Sequence, residues 1–391
     1  MRVLVATTAG SGHFEPLVPV AHACVAAGHE VRVAAPASFA ATVARTGLEH
    51  WPFDDAPPDH MGAVFAQLPA LDGASPAEID AGNAVVVREV FARLDAGAAL
   101  PGLTTAMARW RPDVVLREQA ELGSYLAAEA AGVPHVQLNT SLSCFLDFAG
   151  LVEEPLVALG ADPGLAGLRA APRVTLVPSS LDGASVSQTG PLERVRVEQV
   201  PGGRHELPDW WAGRAGPLVY VTFGTVAASV GLFPDLYRRV VDALADAPVR
   251  VLLTTGDAGD PEALGTVPPN VHVERFWPQR DVMPHAAAMV AHGGLSTTLV
   301  ALSAGVPMLL LPIFADQPFN ADRVEKIGAG VVARGGPAAG AARLPDLLDR
   351  VLGETSLREG AAAVAEEIAG LPPVSRAVAV LEHAASTTMG G

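Results

Sequence analysis

Residues 291–322, AHGGLSTTLVALSAGVPMLLLPIFADQPFNAD, constrain the fold more than any other stretch of the chain. A short apolar run of strand type ends at Met289-Val290-Ala291 and is broken by His292-Gly293-Gly294. Leu295 to Ser303 reads as helix, closed by Gly305 and Pro307. A second apolar run, Met308 to Leu311, leads through Pro312 to Asp316-Gln317-Pro318. Asp316 stands where an N-cap would, and Pro318 at or next to the first helical position. The stretch is therefore a βαβ unit followed by a further helix, with polar groups beyond the carboxyl ends of both strands. In an open α/β sheet those ends bind ligands.

The first turn suits a phosphate. Two glycines let backbone N–H groups approach an anion, and the following helix adds the positive end of its dipole. His292, Ser296 and Thr297 add side-chain donors. A plain βα turn with His292 as a helix cap would carry the same residues. Asp316 and Gln317 tip the balance, since an acceptor beside a donor fits vicinal hydroxyls. A phosphate site followed by a hydroxyl site points to a nucleotide-sugar.

A chain of 391 residues suits two domains of about 200 residues each. Half the residues are hydrophobic and 17% are charged, which predicts large buried sheets. A net charge of −16 without a Lys/Arg cluster argues against nucleic acid and anionic membranes as partners. Cys24 and Cys144 are too few for a disulfide framework or a zinc site, so reduced thiols are expected. The start, MRVLVATTAGSGH, lacks the core and cleavage site of a signal peptide, and no apolar run is long enough to span a bilayer. A soluble cytoplasmic protein is expected.

The N-terminal half opens with a buried strand, Val3–Thr7, then Ala9-Gly10-Ser11-Gly12-His13 and a helix from Pro16 to Ala27 closed by Gly28. Strand Val31–Ala35 and helix Phe39–Thr46 continue a Rossmann-like start. A dinucleotide fingerprint is incomplete, because Glu15 occupies the third glycine position and Ala34-Ala35-Pro36 supplies no acid. His13 falls at the carboxyl end of the first strand, on a loop opening onto a helix. There it is either an exposed loop histidine or a general base, the helix N-terminus lowering its pKa and a carboxylate on the other nitrogen restoring it. The run from Arg111 to Glu118 is another strand ending at Glu118.

With these residues in view, HGGLSTT, ALSAGVPMLLLP and DQPFNA resemble the donor-site signature of the family 1, nucleotide-sugar-dependent glycosyltransferases of the GT-B fold. The likeness is greatest to the bacterial enzymes that decorate macrolides, enediynes and aromatic polyketides. It extends over the chain and is most specific in the C-terminal half, while GSGHFEPLVPVA resembles the family's N-terminal histidine loop. Two departures stand out: Ser296 sits where Gly or Asn is common, and a plant-type Trp-Asn pair is absent. Neither removes the phosphate donors.

The resemblance implies two Rossmann-like doubly wound domains, residues 1–205 for the acceptor and 206–372 for the nucleotide-sugar, with residues 373–391 forming a helix that crosses back to the first domain. It implies His13 as base with Glu118 as partner, where relatives carry Asp; Glu121 is the alternative, and Asp113 lies at the wrong end of its strand. It implies diphosphate contacts from Gly224 and Thr225 as well as His292, Gly293, Gly294, Ser296 and Thr297, and donor-sugar contacts from Asp316 and Gln317. Trp277, Pro278 and Gln279 form the turn that holds the base, Trp277 either stacking on it or packing in the core. Gly12, Phe14, Phe65 and Phe145 are the acceptor-side residues expected, and Ser141–Leu151 either faces an apolar acceptor or packs inward. His272 and His285 read as surface or packing histidines.

Elsewhere, Asp54–Gly82 reads as a mobile loop with helical turns, Val174–Val177 as the last N-domain strand and Pro191–Gly216 as a linker. Arg376–Ala385 reads as the closing helix, with Ser386–Gly391 frayed. No Asp-x-Asp occurs and no His/Cys cluster has metal spacing, so no metal and no cofactor are expected. The expected reaction is inverting transfer from a dTDP- or UDP-sugar cosubstrate to a small hydrophobic natural product. A nucleotide-sugar epimerase would leave the apolar loops unexplained, and a catalytically idle helper would not need His13, His292 and Asp316-Gln317 together. Oligomeric state stays open, a homodimer being one option.

Overall fold

The structure is a computed structural model, and it describes residues 1–69, 74–185, 187–197 and 206–388. Among them are two parallel sheets. The first contains β1 (Arg2–Ala6), β2 (Glu30–Pro36), β3 (Glu49–Phe53), β4 (Val114–Glu118), β5 (His135–Leu138), β6 (Arg173–Thr175) and β7 (Leu192–Arg194), in the order β3-β2-β1-β4-β5-β6-β7. The second contains β8 (Leu218–Thr222), β9 (Arg250–Thr254), β10 (Val271–Glu274), β11 (Ala286–Ala291), β12 (Met308–Leu310) and β13 (Gly330–Val332), in the order β10-β9-β8-β11-β12-β13. This is the GT-B arrangement of two Rossmann-like halves.

The central strands are apolar because helices cover both faces of each sheet. Val3, Leu4 and Val5 of β1 are fully buried, and each such side chain contributes about 1.5–3 kcal/mol relative to exposure. Strand order reverses between β1 and β4 in one sheet and between β8 and β11 in the other. Crevices open at such switch points, beyond the carboxyl ends of the strands. His13 follows β1 and Glu118 ends β4; Gly224 follows β8 and His292 follows β11. Both halves of the expected site thus fall where this topology leaves room.

Several sequence expectations are corrected. Val174–Val177 is not the last strand of the first sheet: β6 ends at Thr175, and β7 pairs with it from within the stretch read as linker. β7 is a half-buried edge strand of three residues, too short to show a period. β3 also escaped notice, since Pro52 argues against a strand; at the sheet edge a missing N–H is tolerated. Asp54–Gly82 is not a loop in its described parts but carries helices Pro58–Phe65 and Pro76–Val85, the second started by a Ser75/Glu78 capping box. That helix runs directly into a π-helical stretch, Val86–Asp95, and then helix Ala96–Arg109. His13 sits in a one-turn helix, Ser11–Phe14, rather than in open loop.

The boundary expected at residue 205 lies outside the described residues, as do 70–73 of the Asp54–Gly82 stretch and 389–391. Helix Ser375–Thr388 continues through Ser386, where fraying was expected. Its Ala377, Val378, Leu381 and Ala385 join Leu17, Val20 and Ala21 in the first domain's core, so the final helix does return to that domain. The halves are also tied by Arg323, which donates to the carbonyls of Leu181 (2.9 Å) and Asp182 (2.6 Å), and by Glu367, which accepts from Ser179. Among the described residues no helix is long and apolar enough to cross a membrane.

Candidate active site

The first wall of the cleft is built on β1 and β4. Gly10 lets the Ser11–Phe14 turn fold tightly, because a Cβ there would press on the His13 ring at 2.9 Å. His13, 30% exposed, turns Nδ1 to within 3.1 Å of Glu118 Oε2, on a line bent from the ideal hydrogen-bond direction. Glu118 is fully buried and accepts from Thr8 Oγ1 (3.1 Å) and the Ala120 amide. Burial favours its neutral form, but His13 and these donors outweigh that and hold the carboxyl below its ordinary range. Burial likewise works against a proton on His13, yet the charges of Glu118, Asp316 and Asp95 raise its pKa above 6.5.

Glu121 does not compete for His13. Both its oxygens accept from the Ser124 amide (3.1 and 3.0 Å), at the start of helix Gly123–Ala131. Burial pushes its carboxyl up to about 7. Arg117, next to Glu118 in the strand, turns away from its carboxylate: the guanidinium is buried and Nη2 donates to Gln137 Oε1 at 2.8 Å. Sequence reasoning missed two groups here. The Phe91 ring stands 5.4 Å from His13, and Asp95, lifted to about 7 by burial and by Glu118, closes the same π-helical stretch.

The second wall is built on β8 and β11. Gly293 has φ +87°, a left-handed value that disfavours other residues, and a Cβ there would meet the Gln317 carbonyl at 3.0 Å. A Cβ on Gly224 would stand 2.8 Å from His292 Nε2, and one on Gly294 would overlap it. The imidazole is therefore clasped between two glycines and lines the cleft with Thr225, Ser296 and Thr297. Burial, opposed in part by the Thr222 backbone, pushes its pKa down to about 4, so the ring is neutral at pH 7 and carries one N–H.

Asp316 occupies the N-cap position without capping; its Oδ2 instead accepts from Asn320 Nδ2 at 2.9 Å. The same nitrogen donates to the Gly293 carbonyl at 3.0 Å, which joins the Gly-rich turn to the Asp-Gln pair. Gln317 Oε1 accepts from the amides of Ile313 (3.0 Å) and Phe314 (3.1 Å), which leaves the Nε2 end as the donor. Trp277 lines the cleft and packs edge-on against Trp210, centroids 4.8 Å apart, while Gln279 approaches Thr297. Pro278 caps the helix Gln279–Val282 and does not line the cavity; nor does Gly293, whose part is to shape the turn. Trp210 stacks on His272 at 4.4 Å, which makes His272 a packing residue.

Together the walls enclose about 530 Å³. On the first-domain side Val86, Val87, Phe91, Phe145, Leu146 and Phe148 give an apolar stretch of lining, while Gly12, Glu15, Asn83, Gln119 and Ser141 also line it. Two expected acceptor residues are misplaced. Phe14 is buried in the core against Phe39, centroids 5.6 Å apart, because the one-turn helix aims it inward. Phe65 is 48% exposed on helix Pro58–Phe65 and does not line the cavity. Phe91, not Phe14 or Phe65, is the aromatic ring that lines the cavity beside His13; its stretch carries apolar residues at helical spacing, the signal that could have found it. Among the described residues no group of three or more His, Cys, Asp or Glu is placed to hold a metal ion.

By sequence, residues 22–151 match the family described as Erythromycin biosynthesis protein CIII-like, N-terminal domain, and residues 238–383 match its C-terminal domain. An L-demethylnoviosyl transferase of Streptomyces niveus is 34% identical over 336 residues, covering 85% of this chain and 84% of its own. The chain belongs to the family 1 glycosyltransferases of bacterial natural-product pathways. A second relative of this glycosyltransferase, the elloramycin glycosyltransferase ElmGT of Streptomyces olivaceus, is 32% identical over 98% of this chain and 97% of its own. The glycosyltransferase SnogD from Streptomyces nogalater superposes with a TM-score of 0.72 at 27% identity, over 98% of this chain and 99% of its own. The spinosyn rhamnosyltransferase SpnG, solved with thymidine diphosphate, shares the fold at a TM-score of 0.75 and 24% identity, covering 98% of this chain and 100% of its own.

Proposed function

We propose that this glycosyltransferase moves a sugar from a nucleoside-diphosphate donor, dTDP or UDP, to a hydroxyl of a hydrophobic natural-product aglycone, with inversion and without a metal ion. One observation carries the reading. A base-type histidine paired to a buried carboxylate faces Asp316 across a cleft whose other wall is a Gly-rich turn at a helix N-terminus.

The diphosphate would rest on the Gly294–Thr297 helix start, with neutral His292 and Thr225 as donors. A preorganised donor of this kind is worth roughly 2–4 kcal/mol to a developing negative charge. Asp316 and the Gln317 amide would take sugar hydroxyls, and Trp277 would stack on the base. The acceptor would lie against Phe91, Phe145 and Phe148. His13 Nε2 takes the acceptor proton as its oxygen attacks the anomeric carbon in line and the nucleoside diphosphate leaves. The relatives' names support the class, one being a TDP-daunosamine transferase and another a 10-deoxymethynolide desosaminyltransferase.

Thermal-shift binding of dTDP, UDP, GDP and NAD, with and without EDTA, tests the donor site. A ligand at ~100 times its dissociation constant stabilises by about 2.7 kcal/mol. A shift with dTDP or UDP that survives EDTA is expected; a shift with NAD alone, or only with magnesium, would refute the donor reading. Transfer assays on His13→Ala then test the base, with a loss of about 10²–10⁴ expected for an alcohol acceptor. Full activity in that variant would remove His13 from the mechanism.

A further inference from the structure

The donor-sugar loop carries an unusual feature next to Asp316. Ala315 has φ +54°, in the left-handed region that a side chain disfavours. Its neighbours hold it there. On one side Gln317 Oε1 accepts from the Phe314 amide, and on the other Asn320 Nδ2 donates to Asp316 Oδ2. The Ala315 carbonyl is taken by the other domain: Asn83 Nδ2 donates to it at 2.9 Å, across 232 residues of sequence.

Asn83 lies in the last turn of helix Pro76–Val85, which passes without a break into the π-helical Val86–Asp95. Val86, Val87 and Phe91 of that stretch line the acceptor side, and Phe91 stands 5.4 Å from the base. One helical rod therefore touches the donor-sugar loop at one end and the acceptor wall and His13 further along. π-Helical turns within α-helices are rare and occur frequently at functional sites.

We propose that Asn83 is a positioning residue: its amide ties the acceptor wall to the donor-sugar loop, so that water is excluded and the acceptor held only when that loop is in its bonded conformation. The proposal rests on the transferase reading above. The side reaction it predicts is donor hydrolysis, in which a water oxygen bonds to the anomeric carbon, the C–O bond to the diphosphate breaks, and the water proton passes to His13 and then to solvent. A loosened tie should raise hydrolysis relative to transfer.

The test compares wild type with Asn83→Ala and Asn83→Asp, using dTDP-glucose and UDP-glucose as donors and umbelliferone as a phenolic acceptor. Loss of one neutral hydrogen bond should raise the acceptor KM and the hydrolysis-to-transfer ratio about three- to tenfold. Nucleoside-diphosphate binding and melting temperature should hold, since Asn83 is only half-buried and Ala favours helix. Asn83→Asp keeps the shape but cannot donate to a carbonyl, so it should behave like Asn83→Ala. Wild-type KM and ratio in both variants would overturn the proposal, as would a normal Asn83→Asp beside an impaired Asn83→Ala, which would point to bulk alone. A wild type that neither hydrolyses nor transfers either donor sugar and binds neither dTDP nor UDP would instead sink the transferase reading.

Discussion

Asn320 joins the two halves of the proposed donor site through a single nitrogen, Nδ2 reaching the Gly293 carbonyl at 3.0 Å and Asp316 Oδ2 at 2.9 Å. Both acceptors lie beyond strand ends, so this side chain sets the distance between the Gly-rich turn and the Asp316 carboxylate. Asn320→Ala leaves a buried carbonyl without its donor, at a cost of about 1–3 kcal/mol. Urea unfolding should register that loss, and sugar transfer should fall with it. Asn320→Asp should be worse than Ala, since it sets a third acceptor against two others; equal or greater stability in Asn320→Asp would contradict the bridge.

The His13–Glu118 pair sets the pH profile. On the proposed mechanism transfer needs neutral His13, and the carboxylates hold its proton on to a pH above 6.5. Activity should therefore rise with pH through an apparent pKa above that value. In Glu118→Gln the charge is gone and burial dominates, so the acid limb should move to lower pH while the plateau rate drops. A limb that stays in place in the variant would show that another group titrates.

Gly294→Ala should abolish nucleotide binding while leaving the fold intact. Its Cβ would overlap His292 Nε2 and displace the ring from the turn. Isothermal titration with dTDP and UDP measures this, with circular dichroism as the control; unchanged affinity would mean that His292 is not part of the diphosphate site.

His292 should also leave a mark on stability. Its folded pKa, about 4, lies below the ordinary 6.5, so it contributes stability that is present above pH 6.5 and is lost as pH falls towards 4. The melting temperature of wild type should drop across that window more steeply than that of His292→Gln. Parallel curves would show that the ring is not held neutral by burial.

What the sequence determined by itself is local. The His-Gly-Gly turn, the Asp-Gln-Pro helix start and the apolar runs of β1, β8 and β11 are dictated within a few residues, because glycine φ angles, caps and buried strands are short-range properties. Those local signals suffice to put His13, Glu118, His292 and Asp316 at or just beyond strand ends. The tertiary structure decided which side chains face the cleft. Phe14 and Phe91 are both apolar aromatics on helical turns, and only packing sends one into the core and the other beside His13. Glu118 and Glu121 are three residues apart, and a bond from Thr8, 110 residues away, fixes the one while a helix start absorbs the other. β3 and β7 exist through pairing with their neighbours rather than through any period of their own. Asn83 meets Ala315 only because the two halves of the chain come together across the cleft, 232 residues apart in sequence. Contacts of that range depend on the closure of the whole chain, and no short stretch of it contains them.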